Sequence, residues 1–128
     1  MRGGPRDRPD WPPASQPLRL VAARTFRQRL LGLHAWQAWG NAPRGLLLPG
    51  CRAVHTFGLV QAIDLVFLGA PGEVVAARPG LAPGRVVVCG SARAALELPA
   101  GYCRRDGWRE AVCRAWADYA AASRKIVA

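Results

Sequence analysis

The hydrophobic pattern changes period several times along the chain. Residues 18–23 (LRLVAA) alternate well enough to predict a strand. From Thr25 the period becomes helical, with Phe26, Leu30, Leu31 and Leu33 on one face. The Thr25…Gln28 pair forms a capping box in which each side chain takes the other residue's amide. Gly32 either permits close packing or ends that helix, and residues 34–44, with His34, Trp36, Trp39, Gly40, Asn41 and Pro43, read as a loop with two large rings to bury.

The centre of the chain is the apolar stretch 45–68, broken at Pro49-Gly50 and at Gly58. It predicts strands at 46–48, 52–57 and 63–68. In the second, Ala53, His55 and Phe57 share one face, and Arg52, Val54 and Thr56 the other. The third, IDLVFL, is almost continuously apolar, which predicts cover on both faces. The turn Gly69-Ala70-Pro71-Gly72 sends the chain back through 73–78 as a hairpin, followed by a loop at 79–84. Strands at 85–89 and 94–98 flank Gly90-Ser91, and a turn follows at Pro99-Ala100-Gly101. Residues 107–122 have helical spacing, with Trp108, Ala111, Val112, Ala115, Trp116 and Tyr119 on one face. The expected fold class is α+β, mostly β: a small rolled or barrel-like antiparallel or mixed sheet with one early and one C-terminal helix.

Length and composition place this in one domain. At 128 residues and 51% hydrophobic, the chain can bury a core without metal or disulfide staples. The expected division is a Pro/Arg-rich disordered tail at 1–17, a globular domain at 18–122 and a short C-terminal tail at 123–128. No apolar run approaches the roughly 18 residues of a transmembrane helix. The N-terminal residues lack the apolar core of a secretory signal, and Arg2, Arg6 and Arg8 are not a twin-arginine pair, so a cytoplasmic protein with reduced thiols is expected.

The net charge of +10 invites a nucleic-acid reading, yet 17 of the 18 basic residues are Arg, as a GC-rich coding sequence would give. The excess lies at the ends: residues 1–44 carry a net +6, residues 45–101 a net +1 and residues 102–128 a net +3. A nucleic-acid binder more often carries a basic stripe on a structured face. Coding bias therefore explains the charge better.

Three landmarks carry a family resemblance. Ala23-Arg24-Thr25…Arg29-Leu30-Leu31-Gly32-Leu33 forms an opening motif. Val54-His55-Thr56-Phe57-Gly58-Leu59…Ile63-Asp64-Leu65-Val66-Phe67-Leu68 forms a central strand pair. Leu96-Glu97-Leu98-Pro99-Ala100-Gly101 is the most specific of the three. In this order and spacing, over residues 20–110, the chain resembles the domain-of-unknown-function 192 family, small bacterial and archaeal proteins without an assigned activity. The resemblance implies a compact, mostly-β fold and brings no catalytic residues. The chain departs from the pattern at Leu33 and Leu59, where methionine is usual, and at Gly69, where aspartate is usual. After Gly107 a helical pattern replaces the family's Gly-Asp turn and closing strand.

The candidate site residues are Cys51, His55, Asp64, Cys89, Glu97 and Gly101. A Cys–His pair could be a nucleophile with its base or two metal ligands. In an extended strand, however, Cys51 and His55 lie roughly 13 Å apart. Cys89 could approach either one from a neighbouring strand. The simpler alternative makes the cysteines small buried hydrophobes and His55 a satisfied strand residue. The four cysteines (51, 89, 103 and 113) show no C-x-x-C spacing. Asp64 lies in an apolar run and Glu97 between leucines, so each must be paired or hydrogen-bonded. Asp64 could take amides from residues 58–62 or, with Glu97, form an acid/base pair. No phosphate-binding or dinucleotide motif is present.

Three functional readings follow. One is a non-enzymatic binding or accessory module for an unknown protein or small ligand, contacted at a turn-rich rim around Gly58, Pro99 and Gly101 near Asp64 and Glu97. The second is a small metal- or thiol-dependent hydrolase using Cys51, His55, Cys89 and Asp64. The third is nucleic-acid association through the Arg-rich tail. The sequence names no cofactor and no metal.

Overall fold

A computed structural model of the chain describes residues 17–23 and 44–127. The described residues form seven strands in two sheets: β1 (Arg19–Ala22), β2 (Arg44–Pro49), β3 (Ala53–His55), β4 (Ile63–Leu68), β5 (Val74–Leu81), β6 (Val86–Val88) and β7 (Ala94–Pro99). A 3-10 turn, Tyr102–Arg104, leads into the helix α1 (Trp108–Val127). The larger sheet has the order β1-β2-β7-β4-β5, and β3 pairs with β6 in a separate ribbon. β1 runs parallel to β2, and every other pair is antiparallel. The mixed, mostly-β class read from the pattern is observed, and the sheet does not close into a barrel. The early helix and the 34–43 loop lie outside the described residues, as do residues 1–16 of the N-terminal tail.

The sheet has two covered faces. Leu47, Val66, Leu68, Leu96 and Leu98 meet Val112 and Trp116 of α1, with Leu18 and Tyr102 completing that core. Leu46, Leu48, Ile63, Leu65, Phe67 and Ala95 meet Val54 from the ribbon on the other side, with Val87 and Cys89 packed against them. The unbroken apolar run of β4 follows from this double cover, since all six of its residues are buried. Gly45 is required where β2 crosses β7: a Cβ there would stand 2.6 Å from Leu96 Cδ1.

Helix α1 buries the face its period predicts. Val112 and Trp116 are buried, while Trp108, Ala115 and Tyr119 pack beside them. The helix runs to Val127, beyond Ala122 where its apolar pattern ends. Trp116 Nε1 donates to the carbonyls of Gly69 and Ala70, both at 3.1 Å, and thereby ties α1 to the β4–β5 turn.

β5 departs from the expectation. It continues through Pro79 and Gly80 to Leu81, where a loop is predicted. Pro79 has no amide to give a ladder, which an edge strand tolerates. The register slips between Ile63↔Leu81 and Leu65↔Arg78, so the bulge aims the Gly80 amide away from a ladder carbonyl and onto a side chain.

Candidate functional site

That side chain is Asp64. It is fully buried, and both carboxylate oxygens are engaged by backbone amides. Gly80 N donates to Oδ1 and Cys103 N to Oδ2, each at 2.8 Å. The amides come from β5 and from the 3-10 turn, not from residues 58–62, because the β5 bulge and the turn after β7 bring orphan donors to the middle of the sheet. Gly101 supports this arrangement. Its φ of 95° turns the chain out of β7, and its carbonyl accepts the Arg104 amide at 3.1 Å. Asp64 and the Gly101 turn are therefore brought together, as an internal clamp between sheet and helix.

Glu97 lies elsewhere. In the β4–β7 register Asp64 faces Leu98, and Leu65 faces Glu97. Leu98 belongs to the helix-side core and Leu65 to the ribbon-side core, so the two carboxylates project from opposite faces of the sheet. An acid/base pair between them is not formed. Glu97 is fully buried on the ribbon side, directly opposite Leu46 of β2.

Cys51, His55 and Cys89 belong to the ribbon. Cys89 N donates to Arg52 O at 2.7 Å, which sets Cys89 beside Cys51 at one end. His55 pairs with Val86, three residues from Cys89 and roughly 10 Å along the strand. The sheet separates all three from Asp64. Among the described residues, no group of three or more His, Cys, Asp or Glu side chains converges as metal ligands would.

Two features carry no warning in the sequence. Thr56 is fully buried, donates its hydroxyl to Ala82 O and accepts the Arg85 amide, both at 2.8 Å. Its backbone also exchanges bonds with Arg85 and Gly84, so one residue pins the 82–85 loop to the ribbon. The second feature is the ribbon's outer face. Val54 and Val87 point inward, so Ala53, His55, Val86 and Val88 point outward. The Phe57 ring stacks on His55 with centroids 5.4 Å apart. Phe57, Val60, Val86 and Val88 are 52%, 80%, 61% and 68% exposed. The alternation of residues 52–57 reveals which side chains share a face, but only the folded chain reveals which face is left uncovered.

Electrostatics single out the turn before α1. Burial, reinforced by the neighbouring Asp64 carboxylate and a hydrogen bond to it, pushes the Cys103 thiol from 9.0 up to about 12. Burial likewise pushes the Tyr102 phenol from 10.0 up to about 12, against the opposing pull of the Arg105 guanidinium. Burial in turn lowers Arg105, which Tyr102 partly offsets. Both acids are thus held in their protonated forms by the fold. The associated stability is complete below pH 9 and is lost as pH rises toward 12, because the unfolded chain releases these protons first. Stability measured by urea unfolding is expected to fall between these limits. The Cys103→Ala variant should lose less over the same range, and an identical pH profile for the two would refute the assignment to the thiol.

The sequence model of the domain-of-unknown-function 192 family, described as an uncharacterized ACR, matches residues 11–111. Comparison with functionally curated proteins gives no match. A crystal structure of a protein of unknown function from Novosphingobium aromaticivorans is similar in fold, with a TM-score of 0.53 and 21% identity over 68% of this chain and 66% of that one. The family match ends at Ala111, four residues into α1, so most of the helix that covers one face of the sheet lies beyond it. With four fifths of its length matched, this chain belongs to the domain-of-unknown-function 192 family.

Proposed function

We propose that this chain is a non-enzymatic binding or accessory module, and that its contact surface is the outer face of the β3–β6 ribbon. The observation that carries this reading is the set of exposed apolar side chains gathered there: Phe57, Val86 and Val88, with Val60 on the loop that follows. Single exposed apolar residues are ordinary on a protein surface, but several on one face mark a surface that gains by being covered. Burial is worth about 25 cal/mol per Å² of apolar area removed from water. The rim near Asp64 is a poorer candidate, because a carboxylate already saturated by Gly80 and Cys103 has little left to offer a partner.

The test is site-specific photo-cross-linking in living cells. A photoreactive residue is placed at Phe57, at Val88 or, as a control, at exposed Arg114 on α1. Covalent adducts are expected from the two ribbon positions and not from the control. Adducts absent from both ribbon positions would show that this face is not a contact surface.

A further inference from the structure

We infer that Cys51 and Cys89 are a redox pair that closes into a disulfide and clasps the β3–β6 ribbon to the larger sheet. Both are free thiols, and neither is fully buried. Continuing the register Ala53↔Val88 by one step sets Arg52 opposite Cys89, and the Cys89 amide donates to Arg52 O at 2.7 Å. Cys51 is the next residue along. Opposite residues of a hydrogen-bonded pair stand about 5.5 Å apart and a strand advances about 3.3 Å per residue, so the Cα atoms of Cys51 and Cys89 are roughly 6 Å apart. Disulfides span about 4.4–6.8 Å between Cα atoms. Strand alternation alone would turn the two side chains to opposite faces. Cys51 lies outside β3, however, just after Gly50, whose φ of 75° bends the chain. Its side chain and that of Cys89 both pack against the ribbon-side core. The other two cysteines stand apart: Cys103 packs against the helix-side core and Cys113 is on α1, so the sheet lies between them and this pair.

The reaction takes a small disulfide of the oxidised-glutathione class as oxidant. Cys89 is the attacking thiol, because Ser91 Oγ lies 3.8 Å from its sulfur and can donate to the thiolate. The Cys89 thiolate attacks one sulfur of the oxidant, whose S–S bond breaks and releases a glutathione thiolate. The Cys51 thiolate then attacks Cys89 Sγ, forming the protein disulfide and releasing the second glutathione. The protons of the two protein thiols end on the two glutathiones, so the protein thiols are oxidised and the glutathione disulfide is reduced. The new bond holds a thinly anchored element. The ribbon has three residues in each strand and turns one side chain from each, Val54 and Val87, into the core. Thr56 pins one end through Ala82 and Arg85. Cys51 and Cys89 sit at the other, where the chain leaves β2 and where it heads for β7. A disulfide there fastens both ends, whether or not the ribbon's outer face meets a partner.

The experiment is incubation of the reduced full chain with oxidised glutathione under native conditions, followed by non-reducing peptide mapping. A Cys51–Cys89 cross-linked peptide is expected as the main product, with Cys103 and Cys113 linked to neither. The Cys51→Ser variant should stop at a glutathione adduct on Cys89. The Cys103→Ser, Cys113→Ser variant should close as fast as the parent. Hydrogen exchange at the Val54 and Val87 amides should be at least about tenfold slower in the oxidised chain. Two free thiols at equilibrium, or a cross-link from Cys51 or Cys89 to any other cysteine, overturns the pairing. So does a Cys51–Cys89 link that forms only in denaturant. Unchanged exchange in a chain that carries the link overturns its role as a clasp.

Discussion

Asp64→Ala is expected to destabilise the protein by about 3–5 kcal/mol, because two buried amides lose a charged acceptor at once and each such bond is worth roughly 1.5–3 kcal/mol. This is a large share of the roughly 5–15 kcal/mol that holds a domain of this kind together. The two donors come from distant parts of the chain, Gly80 in the β5 bulge and Cys103 in the turn before α1. Losing the carboxylate therefore loosens an edge strand and the helix entry together. Asp64→Asn keeps one acceptor but turns its NH2 group toward the other amide, so an intermediate loss is expected. Urea unfolding at constant m-value measures both changes. Hydrogen exchange at Gly80 and Cys103 should quicken in both variants. A loss below about 1 kcal/mol for Asp64→Ala, the worth of one ordinary hydrogen bond, would mean that the clamp is not a stabilising device.

Trp116→Ala is expected to cost a similar amount, about 3–5 kcal/mol, as for other large-to-small changes in a core. The ring fills the helix-side core, and its Nε1 proton holds the carbonyls of Gly69 and Ala70. Trp116→Phe separates the two contributions. It retains most of the apolar volume and leaves two turn carbonyls without that donor, so roughly 1–2 kcal/mol should be lost. If Trp116→Ala proves nearly neutral by the same unfolding measurement, α1 is an appendage and the sheet is stable without it. That outcome would be informative, since most of the helix lies outside the part of the chain that the family model matches.

The periodicity of the chain was enough to locate most elements. Alternation and apolar runs place β4 at residues 63–68, and the Gly-Ala-Pro-Gly turn makes β4 and β5 a hairpin, as observed. The spacing of Val112, Ala115, Trp116 and Tyr119 marks the buried face of α1. These features are local, set by side-chain periods and turn chemistry that hold within a few residues. The family, too, was legible, since its motifs are short runs of consecutive residues.

What the sequence left open was decided by contacts between residues far apart. Asp64 and Glu97 are indistinguishable as acids in apolar strands, until the register places Leu98 opposite one and Leu65 opposite the other and so sends them to opposite faces. The end of β5 departs from local preference: Pro79 and Gly80 are turn residues by composition, whereas a carboxylate sixteen residues earlier in the chain gives the Gly80 amide its partner. Phe57, Val86 and Val88 have the composition of core residues, and nothing near them in sequence says otherwise. Only the packing of Val54 and Val87 against the sheet commits their neighbours to the outside, because a strand with one face buried must turn the other away.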